Sequence, residues 1–120
     1  MYIAGDFSVI DNTLFAMSNA NDGGAIYLSS NAQNAILTNV SIDKASATNG
    51  GGIYVQALNT KISNSSIKNS IASDNGGGIY WKAGAGILEY TNIEGNTAKT
   101  RVFCRCLRQY QHGYRPFLLW

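Results

Sequence analysis

Seven carboxylates lie in the first hundred residues: Asp6, Asp11, Asp22, Asp43, Asp74, Glu89 and Glu94. They are the groups best suited to acid–base or calcium chemistry. Glycosidic cleavage needs such groups in pairs or clusters, often with a basic partner. No two of these acids are adjacent or separated by one residue, and residues 1–100 hold neither Arg nor His. The expectation is a chain that is not itself an enzyme, with no cofactor and no metal. Cys104, Cys106 and His112 are spaced C-x-C-x5-H, which matches no zinc pattern. Three tyrosines, Tyr27, Tyr54 and Tyr80, recur at near-constant spacing, with Tyr2 ahead of them. Aligned on one surface they read first as an aromatic ladder that stabilises the sheet through cross-strand pairs, and second as a candidate binding face for a glycan or a partner protein. Asn39-Val40-Ser41 and Asn64-Ser65-Ser66 are sequons. In sequence this rich in Asn and Ser, they read first as rungs of an Asn ladder at a turn.

Whether those residues meet depends on the elements that carry them, and these repeat. Asn75-Gly76-Gly77-Gly78-Ile79-Tyr80 has near-copies at Asn49-Gly50-Gly51-Gly52-Ile53-Tyr54 and Asp22-Gly23-Gly24-Ala25-Ile26-Tyr27. The isoleucines stand 27 and 26 residues apart. A period of roughly 20–50 residues means a solenoid, propeller or array. Aligning on those isoleucines lines up Leu37, Ile62 and Leu88, then Ile42, Ile67 and Ile93. Each unit therefore reads as three short strands, separated by Asn, Ser, Thr, Asp and Gly clusters. Three strands of about five residues with their turns account for the period. A leucine-rich repeat fits the length, but its signature is missing.

The reading is an all-β parallel β-solenoid of three full coils plus a partial one. The coils lie near 1–22, 23–49, 50–75 and 76–100. Gly23, Gly50 and Gly76 should take the left-handed turn conformation, and Gly24, Gly51 and Gly77 should permit close backbone approach at a corner. Alternation then puts Ile26, Ile53 and Ile79 inside and the tyrosines outside. In the first coil Tyr2 falls on the tyrosine position, Val9 on that of Leu37 and Leu14 on that of Ile42. Two extra residues around Ser29–Asn34 should bulge, and Trp81 should point inward. Stacking brings Asp22 toward Asn49, which gives one carboxylate beside amides. Like charges stacked about 4.8 Å apart repel by about 0.9 kcal/mol even in water. Charged residues make up only 13% of the chain, in keeping with that constraint.

Residues 1–100 balance five Lys against seven acids, whereas residues 101–120 hold four Arg and no acid. That last segment is a non-repeat, basic and aromatic tail. It reads either as a cap or as the product of a shifted frame or read-through intron. As a cap, Phe103, Cys106, Leu107, Tyr110 and Tyr114 would share one helical face. On either reading it should not form a further Gly-Gly coil in register. Four arginines in a tail do not make a nucleic-acid site, and none is expected. No stretch of 18 apolar residues exists to span a membrane, and no signal peptide is visible. The start inside a coil suggests a fragment of a longer solenoid with further coils, or an internal Met taken as the start.

Gly23-Gly24-Ala25-Ile26 resembles the GGA[ILV] motif of the chlamydial polymorphic outer membrane protein repeats. Ile93-Glu94-Gly95-Asn96 is similar to their companion FxxN motif, with Ile for Phe. The resemblance covers roughly residues 1–100 and implies the right-handed parallel β-helix, or pectin-lyase-like, superfamily. It implies a secreted or surface-displayed, structural or adhesive protein, extracellular or at the cell surface. The alternative it carries is part of a pectate lyase- or polygalacturonase-like enzyme whose catalytic coils lie elsewhere.

Overall fold

Corners that recur every few residues leave little chain free to extend, so the strands are short. The computed structural model describes residues 1–100 and the strand Cys106–Gln109. Among these residues there is no helix, and so none long and apolar enough to cross a membrane. Strands β1 (Tyr2–Ile3), β4 (Ile26–Leu28), β8 (Ile53–Val55) and β12 (Ile79–Trp81) form the tyrosine sheet. A second sheet stacks β2 (Val9–Asp11), β5 (Ile36–Thr38), β9 (Lys61–Ser63), β13 (Gly86–Glu89) and β15 (Cys106–Gln109). A third stacks β3 (Leu14–Ala16), β6 (Ser41–Asp43), β10 (Ser66–Lys68) and β14 (Asn92–Glu94). The fourth pairs β7 (Ser46–Asn49) with β11 (Ile71–Asn75). Every pairing is parallel, between one coil and the next, so the chain is a β-solenoid of about four turns.

The expected columns form. Ile26, Ile53 and Ile79 are in register, as are Leu37, Ile62 and Leu88, and Ile42, Ile67 and Ile93. All except Ile93 are fully buried, and Ile93 packs against them at the edge of the core. Trp81 is buried, as expected. The long turn after β4 folds Ala32 back into the core while Ser30 and Asn31 stay exposed.

Two expectations are corrected. Each full coil has four sides rather than three segments. The fourth strand carries no large apolar repeat to mark it: Ala47 pairs with Ala72, and the corner before it carries Ala45 or Ser70. In the first coil, Ile10 and not Val9 pairs with Leu37, and Phe15 and not Leu14 pairs with Ile42. Strand side chains alternate, so this one-residue difference exchanges inside for outside. Ile10 is 7% exposed, whereas Val9 is 64% and Leu14 69% exposed.

Each corner is built on a column of left-handed residues. Gly23, Gly50 and Gly76 have φ of 62°, 62° and 60° at one corner. Asn34 and Asn59 share the next with Phe7 and Ala85, Asn39 and Asn64 the third with Asn12 and Tyr90. Asn69 and Gly95 share the fourth with Met17 and Lys44. Asn tolerates this conformation far better than bulkier residues, which explains its recurrence at corners. Charges that do stack alternate in sign: Asp43, Lys68 and Glu94 are in one register, and Lys68 lies 3.2 Å from Glu94.

In the tail, Cys106 and Leu107 lie in a strand, not in the amphipathic helix that a cap would place there. Its count also differs from the repeat: Leu88 pairs with Gln109, 21 residues on, whereas Ile62 pairs with Leu88, 26 residues on. Phe103, Tyr110, Tyr114, Cys104 and His112 lie outside the described residues.

Candidate binding face

Tyr27, Tyr54 and Tyr80 hold the middle position of three-residue strands whose outer two residues are core aliphatics or Trp81, and Tyr2 opens the two-residue strand β1. Alternation therefore turns every ring outward on the same sheet. Tyr2, Tyr27, Tyr54 and Tyr80 are in direct register on β1, β4, β8 and β12. Ring centroids are 5.2 Å apart for Tyr2–Tyr27 and 5.0 Å for Tyr27–Tyr54, with planes within 13° and 10° of parallel. Tyr80 meets Tyr54 at 5.0 Å with its plane turned by 66°.

This geometry changes what the face presents. Rings stacked along the solenoid axis cover one another, so Tyr54 is only 6% exposed although it lies on the outer side. Tyr27 and Tyr80 are half-buried, and Tyr2 is 69% exposed. The outward row and the aromatic ladder both form; the cover over the middle rung is what the sequence does not show. Solvent meets ring edges and hydroxyls rather than a flat aromatic plane. The hydroxyls are linked: Tyr27 donates to Gln56 Oε1 at 2.8 Å, and Gln56 Nε2 donates to the Tyr54 hydroxyl at 3.1 Å. No repeat marks Gln56 in the sequence, because Ser29 and Lys82 stand at its position in the neighbouring coils. Its signal was positional, two residues after Tyr54 and hence on the same outward side. At the Tyr2 end of the row lies a shallow cleft of about 350 Å³, lined in part by Tyr2, Asn21, Asp22 and Tyr27.

Partial burial pushes the Tyr27 phenol above its ordinary value, reinforced by the neighbouring phenols of Tyr54 and Tyr2 and by the Asp22 carboxylate. The fold therefore disfavours the phenolate. This group's contribution to stability is full below the unfolded phenol value of about 10, and is lost as pH rises through the higher folded value. The melting temperature should fall in that alkaline window, and Tyr27→Phe should reduce the fall. Melts at stepped pH on both proteins give the comparison, which separates Tyr27 from lysine titration common to both.

The turn glycines sit where the repeat placed them. Gly23, Gly50 and Gly76 supply the left-handed turn, and Gly24, Gly51 and Gly77 lie against backbone of the fourth side. Asp22 accepts from Asn49 Nδ2 at 2.8 Å, and Asn49 Oδ1 accepts from Asn75 Nδ2 at 2.7 Å. That is one carboxylate beside two amides. Among the described residues no three His, Cys, Asp or Glu side chains come together as metal ligands. Asn39 and Asn64 do share one corner and are exposed; Asn39 donates to Asp11 Oδ1 at 3.1 Å. Asn96, from the FxxN-like segment, fastens its corner: Oδ1 accepts from Ser70 N at 2.8 Å, and Nδ2 donates to Ile67 O at 2.9 Å.

The fold and face define a parallel β-solenoid with a tyrosine ladder. No family model, curated protein or solved structure matches the chain.

Proposed function

We propose that this chain is a structural and adhesive segment of a secreted or surface-displayed β-helix protein. In this reading it is a non-enzymatic repeat of the kind that the GGA[ILV] resemblance suggests. The tyrosine sheet is the side that meets a glycan or protein partner. The observation that supports this is the unbroken register of Tyr2, Tyr27, Tyr54 and Tyr80, with two hydroxyls joined through Gln56. Because the rings cover one another, the partner is held through hydroxyls and ring edges, which suits a hydroxyl-rich glycan.

Two variants separate ligand contact from sheet stability. Changing Tyr27, Tyr54 and Tyr80 together to Phe keeps the ring stack and removes the hydroxyls. Changing all three to Ser also removes stacking pairs worth about 0.2–1 kcal/mol each. On a glycan array, both variants should lose the binding seen with the parent, while the Phe variant keeps its melting temperature closely. Unchanged binding by the Phe variant would move the site off this face. Release of reducing or unsaturated ends from a pectic substrate would overturn the non-enzymatic reading.

A further inference from the structure

In an Asn-Gly pair the asparagine side chain is unusually open to attack by the following backbone nitrogen, because glycine has no side chain to shield it. Two such pairs, Asn49-Gly50 and Asn75-Gly76, occupy the same corner one coil apart. Their surroundings differ. Asn49 is held on both sides, giving a hydrogen bond to Asp22 Oδ1 at 2.8 Å and receiving one from Asn75 Nδ2 at 2.7 Å. The Gly50 N–H, which must be freed before it can attack, donates to Asn75 O at 2.8 Å. Among the described residues Asn75 keeps one of the two side-chain bonds, and its register partner in the following coil is Thr100. The Gly76 N–H donates to Thr100 O at 3.1 Å, a longer bond at the last described glycine of this corner column.

We infer that Asn75 is a site of spontaneous deamidation and that the ladder protects Asn49 from the same reaction. The Gly76 amide nitrogen loses its proton and attacks Asn75 Cγ. A C–N bond forms, and the side-chain nitrogen leaves as ammonia. Water then opens the ring at either carbonyl, leaving aspartate or isoaspartate. Neither product preserves the rung. A carboxylate has no hydrogen to offer Asn49 Oδ1, so two oxygens face each other where a 2.7 Å bond stood. Isoaspartate also lengthens the backbone two residues before Gly77, where a Cβ would already lie 2.6 Å from Thr97 N. Deamidation thus loosens the coil of β12, β13 and β14 from the body, once and irreversibly.

The test follows amide loss at each position by peptide mapping and mass spectrometry, on the folded chain held at mildly alkaline pH. Asn75 should convert about fivefold faster than Asn49, the factor that one net hydrogen bond supplies. The two rates should converge in urea. Thr100→Asn offers the missing donor to Asn75 Oδ1 and should slow Asn75 toward the Asn49 rate, with circular dichroism confirming that the variant folds. Equal rates in the folded parent would overturn the assignment. So would an Asn75 that stays intact while the unfolded chain converts, or an Asn75 rate unmoved in a folded Thr100→Asn protein.

Discussion

Gly51→Ala is expected to abolish cooperative folding, although it adds a single methyl group. The new Cβ would press into the Gly77 carbonyl oxygen and lie 2.7 Å from both C and O of Ile71. All of these atoms are backbone, so no rotamer change relieves the contact. Gly77 O belongs to the next coil and Ile71 to the strand that closes this one, so moving either breaks a ladder. Overpacking ordinarily costs about 1–3 kcal/mol when side chains can yield. With only backbone to yield, a loss above about 4 kcal/mol is expected, which consumes most of a small domain's stability. About three repeats are the minimum for a solenoid, leaving little reserve. Gly84→Ala is the matched control, because a Cβ there meets nothing within 4 Å. Thermal melts should show a cooperative transition for Gly84→Ala and none for Gly51→Ala. A normal transition in Gly51→Ala would mean that the corner is looser than its contacts imply.

The same corner shows why the sequence spoke clearly about the fold. A parallel stack demands the same answer at the same position in every coil, so each constraint appears three or four times. One glycine pair is a weak signal, but three pairs at spacings of 27 and 26 residues, each followed by Ile-Tyr, are hard to misread. What stayed hidden lacked repetition or bulk. The fourth side pairs Ala47 with Ala72, and alanine contributes little to a hydrophobic pattern. The first coil slipped by one residue because Val9-Ile10 and Leu14-Phe15 each offer two apolar neighbours, and only the pairing partner decides between them. At the binding face the tyrosine row was legible. The stacking angles and the cover over Tyr54 were not, since they depend on side-chain rotation within a fixed register.

Repetition also makes exchange between coils testable, and the largest such effect lies at Trp81. Leu28, Val55 and Trp81 share one core column, and Ala35, Thr60 and Gly86 share another. Volume is traded between the two columns: the coil that carries the indole carries glycine opposite it. A Cβ at Gly86 would penetrate the Trp81 ring, lying 2.8 Å from Cε2. Trp81→Val alone should therefore leave a cavity and cost about 3 kcal/mol, toward the lower end of the range for truncating a buried Trp. Part of that loss is offset, because Trp81 Nε1 is buried without a partner among the described residues and its removal relieves an unsatisfied donor. Gly86→Thr alone should be at least as damaging, since the threonine would occupy the space of the ring. Together they recreate the Val55–Thr60 pair of the preceding coil, where Thr60 is 1% exposed and donates to Ala57 O at 3.2 Å. Ala83 lies on the Ala57 position, so the new threonine finds an equivalent acceptor. The double variant should melt closer to the parent than either single one does. The coupling between the two sites should then be favourable by about 2 kcal/mol, well above the additivity error of independent sites. Denaturant titration of the four proteins measures it, and additive losses would mean that the two columns do not share the space their registers assign them.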